Sequence, residues 1–542
     1  METSYKSRST TYSNNGMVCS TSPLAASAGM NVLANGGNAF DAAITVASVE
    51  AVTVPGMCGF GGEVFAIYHD ASSGRTRGLT STGIAPKKAT ISYFKSRGYD
   101  FIPADGPLAV SPPGEFAAYD YLNKTYGKIP LSSLIGPAIH FAEKGHPLAS
   151  STARLLVVGK DKIYNSPSLS KLFLKQDGSL YTEGEIFKNT DLANTLRRVA
   201  EKGTEDFYKG EIANSIIERF KEAGGILDRE SLETHMVEEY EPLTTNYRGY
   251  VVAENRPPSQ GMLLLQMLNI MELFDLGKYG HLNAKTIHLM VEAKKLAFAD
   301  RNDYLGDPLS VEIPIEQLLS KSFAKARKES IDTLKSSNSV ASGNLINEGT
   351  DTSYFCVADK AGNAVSFIHS LYNSFGSGFV ADGTGILFNN RQQGFRLEDG
   401  HPNSLQPGKR PMHTLNAFIV LQNGKPVIIS GTPGADFQTQ GNLQLITSLI
   451  DHGLSPQEAV DAPRWNSMPG SHPPTRGDPF ELRMEPRVPA NIALQLERMG
   501  HKITWGQEGI SHGIFQLICV DPHSGVLAGA SDPRGDGHVA AL

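Results

Sequence analysis

The chain has 542 residues, of which 40% are hydrophobic and 19% charged, with Gly 54 and Pro 31. That is the balance of a turn-rich folded protein and excludes a disordered tail or a coiled coil. Lys+Arg 49 against Asp+Glu 56 leaves a formal charge of -7, so no global positive field exists to attract nucleic acid. Cys19, Cys58, Cys356 and Cys519 are far apart in the chain, which suggests neither a disulfide framework nor a zinc knuckle but reduced, mostly buried thiols.

Met1 to Asn15 is polar and lacks the apolar core of a secretory signal, and no run reaches the ~18 apolar residues of a membrane helix. A cytoplasmic protein with no membrane partner is expected. Small and apolar residues at helical spacing predict a helix over Ser22 to Leu33, stopped by Asn35-Gly36-Gly37-Asn38. Asp41 is placed to cap a second, Ala/Val-rich helix over Ala42 to Val54. Gly59-Phe60-Gly61-Gly62 then opens a strand, Glu63 to Tyr68; a phosphate cradle would need a helix there, so close backbone packing is the better reading.

From Pro107 to Lys335 helical stretches dominate: Leu134 to Glu143, Ala193 to Ala200, Glu211 to Ala223, Met262 to Leu273 and Ala284 to Phe298. This half reads as largely α. Ser336 to Asp351 loses apolar periodicity and becomes Ser/Asn/Gly-rich, as an exposed linker or a processing segment does. Beyond it Ser353 to Ala358 and Ala364 to Leu371 are β-prone and flank a turn, Asp359 to Asn363. A three-residue loop centred on Ala361, with Gly362 at positive φ, sets Thr352 and Ser370 opposite each other within a register error of one. Further strands are predicted at Ala417 to Leu421, Pro426 to Ser430 and Ile514 to Val520, with a helix from Gln440 to His452. The C-terminal third is thus α+β.

No H-E-x-x-H, C-x-x-C, Walker or EF-hand pattern occurs, so the residues imply neither metal nor cofactor. Gly509-Ile510-Ser511-His512-Gly513 fits a nucleophile elbow in letters, but a β-prone run follows it where that motif needs a helix. Thr352 is the remaining candidate. A hydroxyl needs a base, and no histidine lies near it along the chain. Cutting the bond between Asp351 and Thr352 frees an α-amine, with a pKa near 8, that is tethered to its own nucleophile.

The run Asp351-Thr352-Ser353-Tyr354-Phe355, then Asp359, Gly362-Asn363-Ala364-Val365-Ser366, Phe375-Gly376-Ser377-Gly378, Gly385 to Asn390, Pro407 to Pro411 and Gly431-Thr432-Pro433-Gly434, resembles the small subunit of the γ-glutamyltransferase family. Asn35 to Asn38 with Asp41-Ala42-Ala43, Ala85-Pro86, Pro257-Pro258-Ser259, Phe298-Ala299-Asp300-Arg301 and Asp461 to Arg464 extend the resemblance over roughly residues 16 to 537. It implies an N-terminal-nucleophile hydrolase: a four-layer αββα fold of the α+β class, with two stacked antiparallel sheets between helices. It also implies a proenzyme that cuts itself into a large subunit, 1–351, and a small one, 352–542, which stay together and can oligomerise further. By position, Thr352 corresponds to the nucleophile, Ser370 to the hydroxyl residue beside it, and Gly434 and Ala435 to the pair whose N–H groups bind the oxyanion.

Several substrate positions depart from the family pattern. The Arg-Glu pair that grips a γ-glutamyl group is Thr82-Gly83 here. An Asn is Tyr372, a Gln is Arg391, the Asp that holds an α-ammonium is Gly394, and a serine pair is His413-Thr414. The expected function is amide cleavage through an acyl-threonine, glutathione hydrolase or γ-glutamyltransferase in type. The alternative is an acylase or amidohydrolase for small carboxylated amides, glutaryl or oxamate-like, and the non-enzyme alternative is an inactive binding relative. Arg391 is a candidate carboxylate ligand if it faces the pocket and an ordinary surface arginine if it does not. His413 and Tyr372 are candidate pocket lining. A small-molecule amide or peptide is the expected partner.

Overall fold

The protein was analysed as a computed structural model that describes residues 7–337, 351–471, 479–506 and 513–542, the side chain of Asp351 excepted. Most of the polar segment before Asp351, and the serine and histidine of the Gly509 to Gly513 run, lie outside the described residues. Two seven-stranded antiparallel sheets form the centre. One runs in the order 11–13, 527–531, 516–520, 425–431, 418–422, 250–254, 243–247, and the other 538–541, 16–20, 351–359, 364–372, 63–70, 75–81, 238–240. Each sheet takes strands from both sides of Thr352, so the two prospective subunits share both sheets.

Alternation along the strands sorts the residues into layers. Tyr354, Cys356 and Ala358 with Ile368, Phe65 and Ile67 point inward and pack on Ile419, Ile429 and Ile518 of the facing sheet. Phe355, Val357, Val365, Phe367, Val64 and Ala66 point outward, against helices that include Ala39–Thr53, Glu115–Tyr126 and Thr190–Lys202. On the far side Met262–Met271, Ala284–Tyr304 and Phe437–Ile450 cover Val252, Phe418, Val420 and Leu517. The result is the αββα sandwich.

The helix after Asn38 runs Ala39–Thr53, and its cap is Asn38, not Asp41. Asp41 is the third helical residue and returns a bond to the Asn38 N–H, which makes a reciprocal capping box. Ser336 is buried, where an exposed linker was expected, because Lys295 and Glu292 bind its hydroxyl. The stretch read as largely α also contributes Glu238–Tyr240, Leu243–Tyr247 and Tyr250–Glu254 to the sheets. Those strands are three to five residues long, too short for a period-2 signal to stand out from the helices around them. Cys19, Cys58, Cys356 and Cys519 are all free thiols. Among the described residues no helix is long and apolar enough to cross a membrane.

Candidate active site

The hairpin Asp351–Asp359 and Ala364–Tyr372 lies in the middle of its sheet. Ser353 pairs with His369 and Ala358 with Ala364, the register centred on Ala361, and Gly362 takes φ 93° in the loop. A bulge shifts the pairing between Asp351 and Ser353, so that Asp351 lies opposite Tyr372 and the single residue Thr352 faces two, Ser370 and Leu371, on the partner strand. Thr352 is 2% exposed, and its Oγ1 donates to Ser370 Oγ at 3.1 Å. Ser370 Oγ in turn accepts the Tyr372 N–H at 2.8 Å. Tyr372 then turns the chain at φ 83°, a left-handed conformation that a bulky residue holds only where packing enforces it.

Ser370 pairs with Glu63 on the next strand. Gly61 and Gly62 make that approach possible: a Cβ on Gly62 would lie 2.6 Å from the Ser370 carbonyl oxygen, and one on Gly61 2.2 Å from that of Leu387. The glycine cluster therefore serves close backbone packing. Glu63 is fully buried. Its Oε1 accepts from Thr82 Oγ1 at 2.6 Å, Ser111 Oγ at 2.9 Å and Gly83 N at 3.1 Å. Its Oε2 accepts Arg391 Nε at 2.7 Å and lies 3.2 Å from His413 Nε2. Burial pushes the Glu63 carboxyl up, but the His413 and Arg391 contacts outweigh it and hold the group below the usual carboxylate range. His413 is lowered to about 4, by burial first and then by Arg391, and so is neutral at pH 7. Because Thr82 donates to Glu63, the 2.7 Å contact between Thr82 Oγ1 and His413 Nε2 assigns the proton to Nε2.

Arg391 is not a surface residue: it is fully buried, its guanidinium lies 4.2 Å from the Tyr372 ring centroid, and its Nη1 and Nη2 have no partner. Thr82, Arg391 and His413 are thus brought together around Glu63, and Tyr372 stacks on Arg391. Gly394 is three residues further on, and a Cβ there would lie 3.3 Å from the Met412 carbonyl oxygen.

The loop after the strand Lys425–Gly431 is laid over this end of the sheet, since Gly431 fits against the Tyr354 ring and Ser366 Oγ reaches Ser430 O at 3.2 Å. In that loop Gly434 has φ 122° and Ala435 φ 47°. Gln260 Nε2 donates to the carbonyls of Ala435 at 3.1 Å and Thr414 at 3.0 Å. Arg301 grips both Gln260 Oε1, at 2.6 Å, and the Asp436 carboxylate. Thr414 therefore joins the site through its backbone.

The outward face behind Thr352 is also polar. His369 lies between Glu50, 2.9 Å from Nε2, and Glu115, 3.0 Å from Nδ1. Burial opposes its charge, yet Cys58 and Glu115 raise it well above the usual histidine range. Ser353 Oγ donates to Glu50 at 2.6 Å and contacts Thr21 Oγ1. Among the described residues two groups have metal-ligand proximity, Glu50, Cys58 and His369, and His288, Glu292 and His501. In the first set both ring nitrogens of His369 are already hydrogen-bonded, to Glu50 and Glu115, and in the second Glu292 is ion-paired to Lys295 at 2.7 Å.

Glu63, Gln260, Arg301, Asp436, Glu50, Glu115 and His369 were not singled out from the sequence. Glu63 follows the glycine cluster, Gln260 follows Pro257-Pro258-Ser259, and Arg301 closes the Phe298 to Arg301 run, so the signal lay beside each.

The chain is similar to known proteins over nearly its whole length. The chain is 36% identical to the glutathione hydrolase-like YwrD proenzyme of Bacillus subtilis (strain 168), over 97% of this chain and 98% of that one. It is 34% identical to the glutathione hydrolase proenzyme of Escherichia coli (strain K12), over 96% and 90%. The crystal structure of cephalosporin acylase from Bacillus halodurans superposes with a TM-score of 0.91 at 37% identity, covering 100% of this chain and 98% of that one. Residues 25–542 match the family described as gamma-glutamyltranspeptidase, and the chain belongs to that family of N-terminal-nucleophile hydrolases.

Proposed function

We propose that the protein is a self-processing threonine amidohydrolase of glutathione hydrolase and acylase type, cut between Asp351 and Thr352 into subunits 1–351 and 352–542. The observation that supports this most directly is the buried Thr352 hydroxyl, bonded to Ser370 Oγ at 3.1 Å at a strand start. In maturation, Thr352 Oγ adds to the Asp351 carbonyl carbon and the peptide C–N bond breaks, the nitrogen gaining the hydroxyl proton. Water then splits the resulting ester, which frees the Asp351 carboxylate and the Thr352 amine.

In turnover that amine, with an ordinary pKa of about 7.7–8.0, takes the Thr352 proton as Oγ attacks the substrate amide. The Gly434 and Ala435 N–H groups receive the oxyanion. The ammonium returns the proton to the departing amine, water attacks the acyl ester with the amine as base, and the acid leaves. Ser370 orients the attacking oxygen. Relatives named for glutathione hydrolysis and for acylase activity support the reaction class, while the loss of the Arg-Glu pair at Thr82-Gly83 favours an acyl group other than γ-glutamyl.

Purified protein run on a denaturing gel should give two bands, the smaller beginning at Thr352 by N-terminal sequencing, and Thr352→Ala should give one. A small fragment beginning elsewhere, or a fully active uncut chain, overturns the assignment.

A further inference from the structure

Cleavage before Thr352 leaves the nucleophile on a chain end. In the intact chain Thr352 is tethered on both sides, and the residue before it, Asp351, pairs with Tyr372. Once the bond between them is cut, that pairing belongs to the other subunit and Thr352 hangs from Ser353 alone. Chain ends fray unless something ties them down. Regular strand pairing does not, because Thr352 faces both Ser370 and Leu371 across the bulge and has no single partner in the ladder. Yet a reacting atom misplaced by about 1 Å can cost about 10²-fold in rate.

The tie lies on the opposite face of the sheet. Ser353 and His369 are the first regular pair after the bulge, and each adjoins one of the two bonded hydroxyl residues, Ser353 next to Thr352 and His369 next to Ser370. Their side chains end on a single atom: Glu50 Oε2 accepts Ser353 Oγ at 2.6 Å and His369 Nε2 at 2.9 Å. The other oxygen, Oε1, accepts Ser20 Oγ at 2.6 Å and Thr21 Oγ1 at 3.0 Å, where the strand 16–20 beside the hairpin ends. Four donors thus use both oxygens of one carboxylate, and the negative charge strengthens each bond. Glu50 stands on Ala39–Thr53, a helix buried at every residue, so the atom that gathers the two strands is fixed to the core. Neighbours on a strand point to opposite faces. Holding Ser353 and His369 together behind the sheet therefore sets Thr352 against Ser370 in front of it.

From this arrangement we infer that Glu50 is a positioning residue: by binding Ser353 and His369 through one oxygen, it holds the freed Thr352 end in register with Ser370. This rests on the amidohydrolase reading above and names what keeps its nucleophile in place. The tie matters more after the cut than before it, when Asp351 still holds Thr352 from the other side.

Turnover compared with self-cleavage in the full chain tests it. p-Nitrophenyl acetate, an activated ester that needs no acyl recognition, reads the Thr352 hydroxyl as p-nitrophenolate released above a Thr352→Ala blank. Ser353→Ala should lower that rate by about 10- to 10²-fold, while freshly synthesised precursor, followed on a denaturing gel, matures at close to the parent rate. Ser353→Thr keeps the hydroxyl and should recover most of the loss. Glu50→Gln keeps the shape but has only one accepting oxygen, and should slow release at least as much as Ser353→Ala. Glu115→Gln controls for plain loosening: it takes from His369 its other carboxylate without touching Ser353. It should lower the melting temperature as Glu50→Gln does, yet slow release far less. Should Glu50→Gln fail to fold, Ser353→Ala answers alone, since Glu50 then keeps Ser20, Thr21 and His369 as donors. Parent-like release in Ser353→Ala, self-cleavage slowed as much as release, or equal losses in Glu115→Gln and Glu50→Gln overturns the positioning role, while release that depends on Thr352 still upholds the hydrolase. A parent no faster than the Thr352→Ala blank removes the amidohydrolase reading and this inference with it.

Discussion

The same two strands carry opposite kinds of polar chemistry on their two faces. On the inward face Thr352, Ser370 and Glu63 form a row across three strands, and around it Arg391 Nη1 and Nη2 and His413 Nδ1 have no partner. On the outward face Ser353 and His369 meet Glu50, Glu115 and Thr21, and both ring nitrogens of His369 are bonded. Both faces are fully buried and both hold charge. What separates them is satisfaction: a closed network rigidifies its surroundings, and an open one leaves donors and acceptors unmet. Burial alone would have marked both as active sites.

The largest effect that can break this contrast is at the nucleophile. Thr352→Ala should lower turnover by about 10⁶-fold if attacker and base act as one unit, with little change in melting temperature; a large loss of stability would place Thr352 among the supports. The mirror-image result is expected behind it. His369→Leu leaves Glu50 and Glu115 without their cation, and removing one partner of a buried charge network costs about 3–5 kcal/mol. Chemical denaturation should report that loss, and unchanged stability would dismantle the distinction between the faces.

The pH dependence sharpens the same point. The folded value of His369 is raised, the neighbouring acids prevailing over burial. Its stabilisation is therefore complete below an unfolded value of about 6.5 and is lost as pH rises through the higher folded one. The melting temperature of the parent should decline on the alkaline side by a component that His369→Leu lacks. Gln260→Ala unties the loop that carries Ala435 and should lower kcat by up to about 10²-fold with little effect on KM, as when one oxyanion donor is displaced. Ser370→Ala removes the acceptor of both the Thr352 hydroxyl and the Tyr372 N–H, and the lost bond to Thr352 should cost about 2- to 10-fold in kcat.

Legibility followed distance along the chain. The hairpin could be read because its two halves are adjacent: a turn centred on Ala361 fixes the pairing of Ser353 with His369, and period 2 then assigns the faces. The helices over Ala39–Thr53 and Glu211–Glu222 followed from local spacing in the same way. Arg391 could not be placed. Its partner Glu63 is 328 residues away, and nothing local distinguishes an arginine on a surface turn from one buried against a carboxylate. Arg301 and Gln260 belong to the same class, since their meeting point with Asp436 and Ala435 is made by helices packing over a loop of the sheet they cover, far along the chain from both.

By itself the sequence determined which atoms can react: a threonine at the head of a β-prone run, a hydroxyl eighteen positions on, and a glycine-rich turn later in the chain. These are set by local periodicity and turn chemistry, which act over a few residues. The tertiary structure alone decided which polar groups are spent on one another and which are left open, because hydrogen-bond satisfaction is a property of everything that surrounds an atom once the layers have closed.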